Sequence, residues 1–214
     1  MGSNLLQKIE RRYAKKYIKS FKNDELILGR LVGQGLFHVV YKLGKNKVVK
    51  VPLRPPISKK LVRQLYENEL QSIKLLNTYF KGLIPKTEVI LSPKKHKYII
   101  IQEVVQRGSP VLPTHKEMVR KVYLKNKELI NKEGLALDFL GLVGLKSCLN
   151  AVFNKEIIPK MTNILISKSN RVFIVDTNLL ELKLHTKTVR TIIFWIRDRF
   201  RWELTKFFLK MYFL

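Results

Sequence analysis

Thr162-Asn163-Ile164-Leu165-Ile166 and Val172-Phe173-Ile174-Val175-Asp176 are two short apolar runs, one led by an asparagine and one closed by an aspartate. The stretch between them reads as a turn, so the pattern predicts a β-hairpin. Asn163 and Asp176, thirteen residues apart, would then meet at one end of it. An amide oxygen and a carboxylate are hard ligands, suited to a hydrated Mg²⁺ that also grips phosphates. Asn and Asp are ordinary turn residues too, so the pair gains meaning only from what lies upstream.

Upstream, residues 26–52 predict three short strands. The first runs into Gly33-Gln34-Gly35, the second spans Phe37 to Leu43, and the third spans Val48 to Val51 after a turn at Gly44-Lys45-Asn46-Lys47. Glycines in the first turn let backbone N–H groups approach phosphates without a Cβ in the way. A strand after the glycines argues against a dinucleotide-binding loop, which needs a helix there. The absence of G-K-[ST] argues against a Walker A loop. Lys50 sits inside an apolar strand, where it is either a solvated surface lysine or a phosphate ligand. Residues 58–79 follow with Leu61, Leu65, Leu70, Ile73 and Leu76 at roughly helical spacing, and carry Glu67 and Glu69. Glu69 lies nineteen residues after Lys50. Both glutamates can instead be plain surface charges on a basic helix.

Taken in order, Gly33, Gly35 and Val40, then Lys50, Glu69, Asn163 and Asp176 resemble the elements of a small, divergent bacterial protein-kinase-like fold. The resemblance covers roughly residues 26–180. The second half is also similar to the PhoP-regulatory-network kinase-like family, in its basic segment, Asn-Ile-Leu strand and Trp- and Arg-rich tail. The likeness implies an α+β, protein-kinase-like bilobal fold, with an antiparallel N-lobe sheet plus one helix and a reduced helical C-lobe. It implies residues 1–25 as a basic amphipathic extension, 26–105 as the N-lobe and 106–214 as a minimal C-lobe. It implies ATP and Mg²⁺ as cofactors. Gly33, Gly35 and Val40 would cover the nucleotide, Lys50 would hold its phosphates, and Glu69, with Glu67 as fallback, would position Lys50. Backbone groups from Glu103 to Val105, after the strand Lys97 to Gln102, would face the adenine edge. Asn163 and Asp176 would hold the metal, and Lys160 would neutralise charge on the transferred phosphoryl group.

The pattern breaks in three places. His38 stands where the third glycine of G-x-G-x-x-G-x-V belongs. In H-R-D-L-x-x-x-N the aspartate precedes the asparagine by five positions, and here that position is Ile158. Asp176-Thr177-Asn178 replaces D-F-G, keeping the metal-binding carboxylate without the Phe switch or the Gly hinge. Three accounts follow: a pseudokinase acting as a scaffold, a substitute carboxylate such as Glu156 or Asp138, or transfer by positioning and charge alone. Asp138 has a competing reading as the N-cap of a helix continuing through Leu142 and Leu149.

The 214 residues are 46% apolar, enough for one compact domain or two small lobes. Beyond residue 105 there is room for a helix or two, the hairpin and the tail, with Asp176 running quickly into the last helix. Net charge is +26, from 42 Lys and Arg against 16 Asp and Glu. That predicts attraction to a polyanion without choosing among nucleic acid, a phospholipid surface met peripherally, lipopolysaccharide and an acidic protein; no recognised nucleic-acid module is present. Such a role, with the kinase-like ancestry no longer used, is the third functional reading. The single cysteine, Cys148, forms no internal disulfide and fits a reducing, cytoplasmic setting, with peripheral contact at the inner membrane surface. The first 22 residues are charged throughout, unlike a signal peptide. The phosphoryl acceptor stays open between protein, sugar and lipid.

Both ends carry aromatic and basic residues. Leu5, Leu6, Ile9, Tyr13, Tyr17 and Ile18 suit an amphipathic helix that packs on its own domain. Residues 187–214 interleave Trp195, Phe200, Trp202, Phe207 and Phe208 with Arg197, Arg199, Arg201, Lys206 and Lys210. This helix is read first as a wall of the C-lobe, then as a membrane-interface helix, then as a nucleic-acid contact.

Overall fold

The computed structural model describes residues 13, 16–18, 21, 28–34, 38–53, 58–92, 97–106, 111–141, 161–183 and 189–214. They divide into two compact units. One takes the described residues up to Gln71 together with Pro85–Val104, and the other takes Ser72–Ile84 with residues from Val105 onward.

The first unit is built on an antiparallel sheet of β1 (Leu28–Gln34), β2 (His38–Leu43), β3 (Lys47–Pro52), β4 (Thr87–Ser92) and β5 (Lys97–Glu103), in the order β1-β2-β3-β5-β4. Gly44 at φ +58° makes the β2–β3 turn, a conformation a side chain would resist. Alternate residues face opposite sides. Val39, Tyr41, Leu43, Val49, Val51, Ile99 and Ile101 line one core face, and Tyr17, Ile18 and Phe21 cover it. The aromatic N-terminal residues therefore pack on their own unit. Lys50 pairs with Val40 on one side and Ile100 on the other, which puts it on the opposite face with His38 and Tyr98.

Helix α1 (Lys59–Tyr79) starts at Ser58, whose Oγ accepts the Leu61 N–H at 3.2 Å as an N-cap. Its buried positions are Val62, Glu69, Ile73 and Leu76, the last two three residues apart, as one helix face requires. Leu61 and Leu70, expected on that face, are exposed instead. The face is rotated toward Glu69, so a carboxylate occupies a position where spacing alone placed leucines.

The second unit holds α2 (Lys116–Glu133), led by a 3₁₀ turn at Pro113–His115. Gly134 ends α2 in the left-handed conformation and donates its N–H to Ile130 O at 2.9 Å. Strand β6 (Leu135–Leu137) follows at once and pairs antiparallel with β9 (Leu179–Glu181). Strands β7 (Ile164–Ile166) and β8 (Val172–Ile174) form the hairpin read from the sequence. Its turn contains Asn170 at φ +54°, a conformation Asn tolerates. Chain beyond Asp176 does not pass straight into the last helix, because β9 intervenes.

Helix α3 (Val189–Tyr212) packs Trp202, Phe208 and Leu209 into the core of this unit, with Trp202 stacked on Tyr123. It is a wall of the unit, as its first reading held. The Asp198 carboxylate accepts the Glu181 N–H at 3.1 Å, and Trp195 Nε1 donates to Leu182 O at 2.9 Å. Both bonds fix the helix to the β9 segment.

One tie in the first unit has a specific cause. Strands β3 and β5 pair from Lys47↔Glu103 to Lys50↔Ile100 and then stop. Continued, the register would set Pro52 against Tyr98, and proline has no N–H to give. The Tyr17 hydroxyl takes over this place. It donates to Tyr98 O at 3.0 Å and accepts from Tyr98 N at 3.1 Å. Tyr17→Phe removes both bonds at a buried backbone position. We expect a loss of about 1–3 kcal/mol in denaturant unfolding, the cost of leaving one buried polar group unmet. Unchanged stability would refute this role for the hydroxyl.

Candidate functional site

In the first unit, β1 and β2 set Gly33 opposite Val40, and β3 carries Lys50 beside Val40. The register irregularity between Leu31 and Gly33 falls in the same stretch. A Cβ built on Gly33 would meet nothing within 4 Å, so the space above this backbone is open. Gly35 lies outside the described residues. Lys50 is 7% exposed and Glu69 9% exposed, so neither is a solvated surface charge. Burial of ionised groups is costly unless each is compensated, which makes this polar face unusual in a small sheet. Glu67 is exposed and pairs with Arg63 at 3.0 Å on the helix surface, which removes it as the fallback.

His38 stands at the centre of this face. Its Nε2 is 3.8 Å from Glu69 Oε1 and 3.4 Å from the Tyr98 hydroxyl, with the two rings nearly perpendicular. Burial, and then the Glu69 charge, push the Tyr98 hydroxyl well above its ordinary value, so it stays protonated. The residue that breaks the glycine pattern thus contacts the helix glutamate. Its signal in the sequence was a polar ring at the head of an apolar strand.

Glu103 and Val104 donate their backbone N–H groups to Lys86 O at 2.9 Å and to Asn46 O at 2.8 Å. The end of β5 is pinned by these bonds, and Val105 comes next in the chain as a half-buried residue.

In the second unit the hairpin does what its sequence predicts. Ile164 pairs with Ile174, and Val175 N donates to Asn163 O at 2.9 Å, which extends the ladder by one step. Asn163 and Asp176 therefore flank the same end. Asn163 is buried and Asp176 half-buried. One oxygen of Asp176 accepts from the Asn178 N–H at 3.2 Å and from Asn178 Nδ2 at 2.8 Å, so Asn178 orients the carboxylate from within D-T-N. Lys160, Ile158 and Glu156 lie outside the described residues.

Asp138 is the residue whose part was least foreseen. Its side chain accepts the Gly141 N–H at 3.1 Å and pairs with Arg201 of α3. Its backbone oxygen accepts from Asn163 Nδ2 at 2.8 Å. Burial raises the Asp138 carboxyl above its ordinary value, the Arg201 charge opposes the rise, and the Asp176 charge adds to it. Bonded in this way and 3% exposed, it is an anchor; the helix through Leu142 and Leu149 that its alternative reading expected lies outside the described residues.

Gly141, also unforeseen, makes room for the asparagine. Its φ is +62°, and a Cβ there would lie 2.5 Å from Thr162 Oγ1 and 2.6 Å from Asn163 Oδ1. Among the described residues no three His, Cys, Asp or Glu side chains gather for a metal. A site at Asn163 and Asp176 would be of the kind that Mg²⁺ completes with phosphates and water.

No protein-family model matches the chain, and no curated protein matches it. Solved structures do. The Legionella pneumophila Lpg2603 kinase bound to IP6 matches at a TM-score of 0.53 and 11% identity, over 85% of this chain and 58% of that one. This chain therefore spans under two thirds of that protein's length. The GDP and kanamycin complex of APH(2")-IIia matches at 12% identity over 88% of this chain and 82% of that one, with a TM-score of 0.39, too low for a shared fold to be read from it. The fold is α+β and protein-kinase-like.

Gly141→Ala tests the seat of Asn163. A non-glycine residue at this positive φ, with the hydrogen-bonded Thr162 and Asn163 side chains under 3 Å from its Cβ, is expected to cost about 1–3 kcal/mol in a thermal or denaturant melt. Wild-type stability would show that Asn163 does not depend on the missing Cβ.

Proposed function

We propose that this kinase-like protein binds ATP with Mg²⁺ and transfers a phosphoryl group to an acceptor. The observation that carries the reading is the hairpin end that presents Asn163 and Asp176 together within a protein-kinase-like fold. The first unit adds a buried lysine and a buried glutamate on one polar face, beside an open glycine backbone.

In this reading Gly33, Gly35 and Val40 cover the nucleotide. Lys50 neutralises its phosphates, and Glu69, held by His38, keeps Lys50 in place. Glu103 and Val105 offer backbone groups to the base. The donor set fits magnesium: one amide oxygen and one carboxylate, with remaining positions for phosphate oxygens and water. The metal supplies charge neutralisation on the phosphates. Asn163 is oriented for this by Asp138 O, and Asp176 by Asn178. Asp138 is tied to Arg201 and Gly141, so it takes no proton from the acceptor. Transfer then rests on positioning and on cations, with Lys160 as a further one: the acceptor oxygen bonds the γ-phosphorus as the bond to the β–γ bridging oxygen breaks, ADP leaves, and the acceptor's proton passes to solvent. A loose transition state asks for little more. The acceptor class stays protein, sugar or lipid.

The loss of the catalytic-loop aspartate favours a second reading, a pseudokinase that binds nucleotide and acts as a scaffold. A thermal-shift titration followed by a transfer assay separates the two. With ATP roughly a hundredfold above its dissociation constant, binding adds about 2.7 kcal/mol and raises the melting temperature by about 5–10 °C. Lys50→Met is expected to abolish the shift, and Asp176→Asn to abolish its dependence on Mg²⁺. A shift unchanged in both variants would sink the assignment. A normal shift with no phosphate released or transferred would leave the pseudokinase.

Gly33→Ala gives a sharper check. The protein itself leaves space for this methyl group, so folding stability should hold while the ATP shift falls. An unaltered ATP shift would place the phosphates elsewhere.

A further inference from the structure

Helix α3 has two apolar faces. One is buried in the second unit through Trp202, Phe208 and Leu209. The other is open to solvent: Ile193 is 60% exposed, Ile196 54%, Phe200 57%, Phe207 52% and Met211 54%. At 3.6 residues per turn and 1.5 Å per residue these positions fall within an arc of about 60° over about 27 Å of the helix. Single exposed apolar residues are common, but a continuous stripe of this length is not.

The stripe is edged mainly by cations, with Arg197 paired to Asp198 and exposed Glu203 lying at the same edge as Lys206. Arg199, Lys206 and Lys210 run along one side and Arg197 along the other. Arg199 and Lys210 are exposed, while Lys206 is bonded to Glu203. Arg197 and Arg199 lie over the rings of Phe194 and Trp195. An apolar strip between basic flanks matches the layered chemistry of an anionic bilayer surface, with acyl chains below and acidic headgroups at either side. Among the described residues no helix is long and apolar enough to cross a membrane, so contact would be from the side.

We propose that the open face of α3 docks the protein on an anionic lipid surface, with Phe200 and Phe207 entering the headgroup–acyl boundary. Charge complementarity selects this occupant over a second copy of the chain. Two molecules of net charge +26 would bring their exposed Arg199 and Lys210 flanks together, with Glu203 the acid among the described residues of that face to offset them. The proposal is independent of the nucleotide reading and stands or falls without it.

Co-sedimentation of the full chain tests it, using mixed phosphatidylglycerol–phosphatidylcholine vesicles and pure phosphatidylcholine vesicles. Wild type is expected to partition onto the mixed vesicles and not onto the neutral ones. Phe200→Ser with Phe207→Ser should weaken partition at least about tenfold, because two largely exposed aromatic side chains lose their apolar anchor. The same variants should melt at the wild-type temperature, since both rings are more than half exposed. If that pair unfolds, Ile193→Ser with Met211→Ser serves in its place. Undiminished binding by the serine variants would overturn the proposal, leaving only general attraction of a cation. So would wild type that stays in solution, or a concentration-dependent dimer that the serine variants abolish.

Discussion

The carboxylate of Asp138 is the constraint on which the second unit depends. An ionised carboxylate in an apolar core is costly unless it is paired and hydrogen-bonded on more than one side. Asp138 meets that demand by gathering Arg201 from the last helix and the Gly141 N–H from three residues ahead. Its backbone oxygen, on the same residue, holds the Asn163 amide. One residue thus links β6, the hairpin and α3. A buried ion pair is weak support for net stability, and its value here is geometric. It sets where the asparagine points, and an error at Asp138 reaches the candidate metal ligand directly.

The first unit solves a different problem. A five-stranded sheet must cover two faces, and only one can be wholly apolar if a lysine is to be kept inside. Tyr17, Ile18 and Phe21 close the apolar face from the N-terminal side. This leaves α1 to bring Glu69 to the polar face, where His38 meets it. Pro52 contributes by ending the β3–β5 ladder, which opens the backbone position that Tyr17 fills. The N-terminal residues, read as an extension ahead of the first strand, are part of what makes the sheet's other face available for charge.

Much of this was legible in the sequence, for identifiable reasons. The β2–β3 and β7–β8 hairpins announce themselves through apolar runs broken by Gly44 and Asn170. The pairing of Asn163 with Asp176 follows from that. Lys50 and Glu69 were singled out by their order and spacing, and the structure buries both. Other parts had no local signal. Strands β6 and β9 are three residues each, too short to show alternation, and they find each other across more than forty residues. The face of α1 was misjudged because leucine spacing cannot reveal that a glutamate is buried. Asp138 offered two readings because a cap and a base look alike until Arg201 arrives from sixty-three residues away. Gly141 carries no motif at all; what matters is the Cβ it lacks.

The charge of the chain looks different once the acids are located. Only 16 residues are Asp or Glu, and among the described ones Glu69, Asp138 and Asp198 are buried. Their work is internal: facing His38, pairing Arg201, and holding the Glu181 N–H and Arg197. Lys50 and Arg201 are buried with them, so the exterior keeps nearly the whole excess of positive charge. Like charges spread over a compact surface repel and weaken the folded state. A bound polyanion relieves that repulsion, and whatever binds the folded form alone also stabilises it. A surface that carries nearly all of the net +26 has a negative natural complement. Among the described residues, the apolar strip on α3 adds to that charge a feature that a lipid bilayer would meet and a soluble polyanion would not.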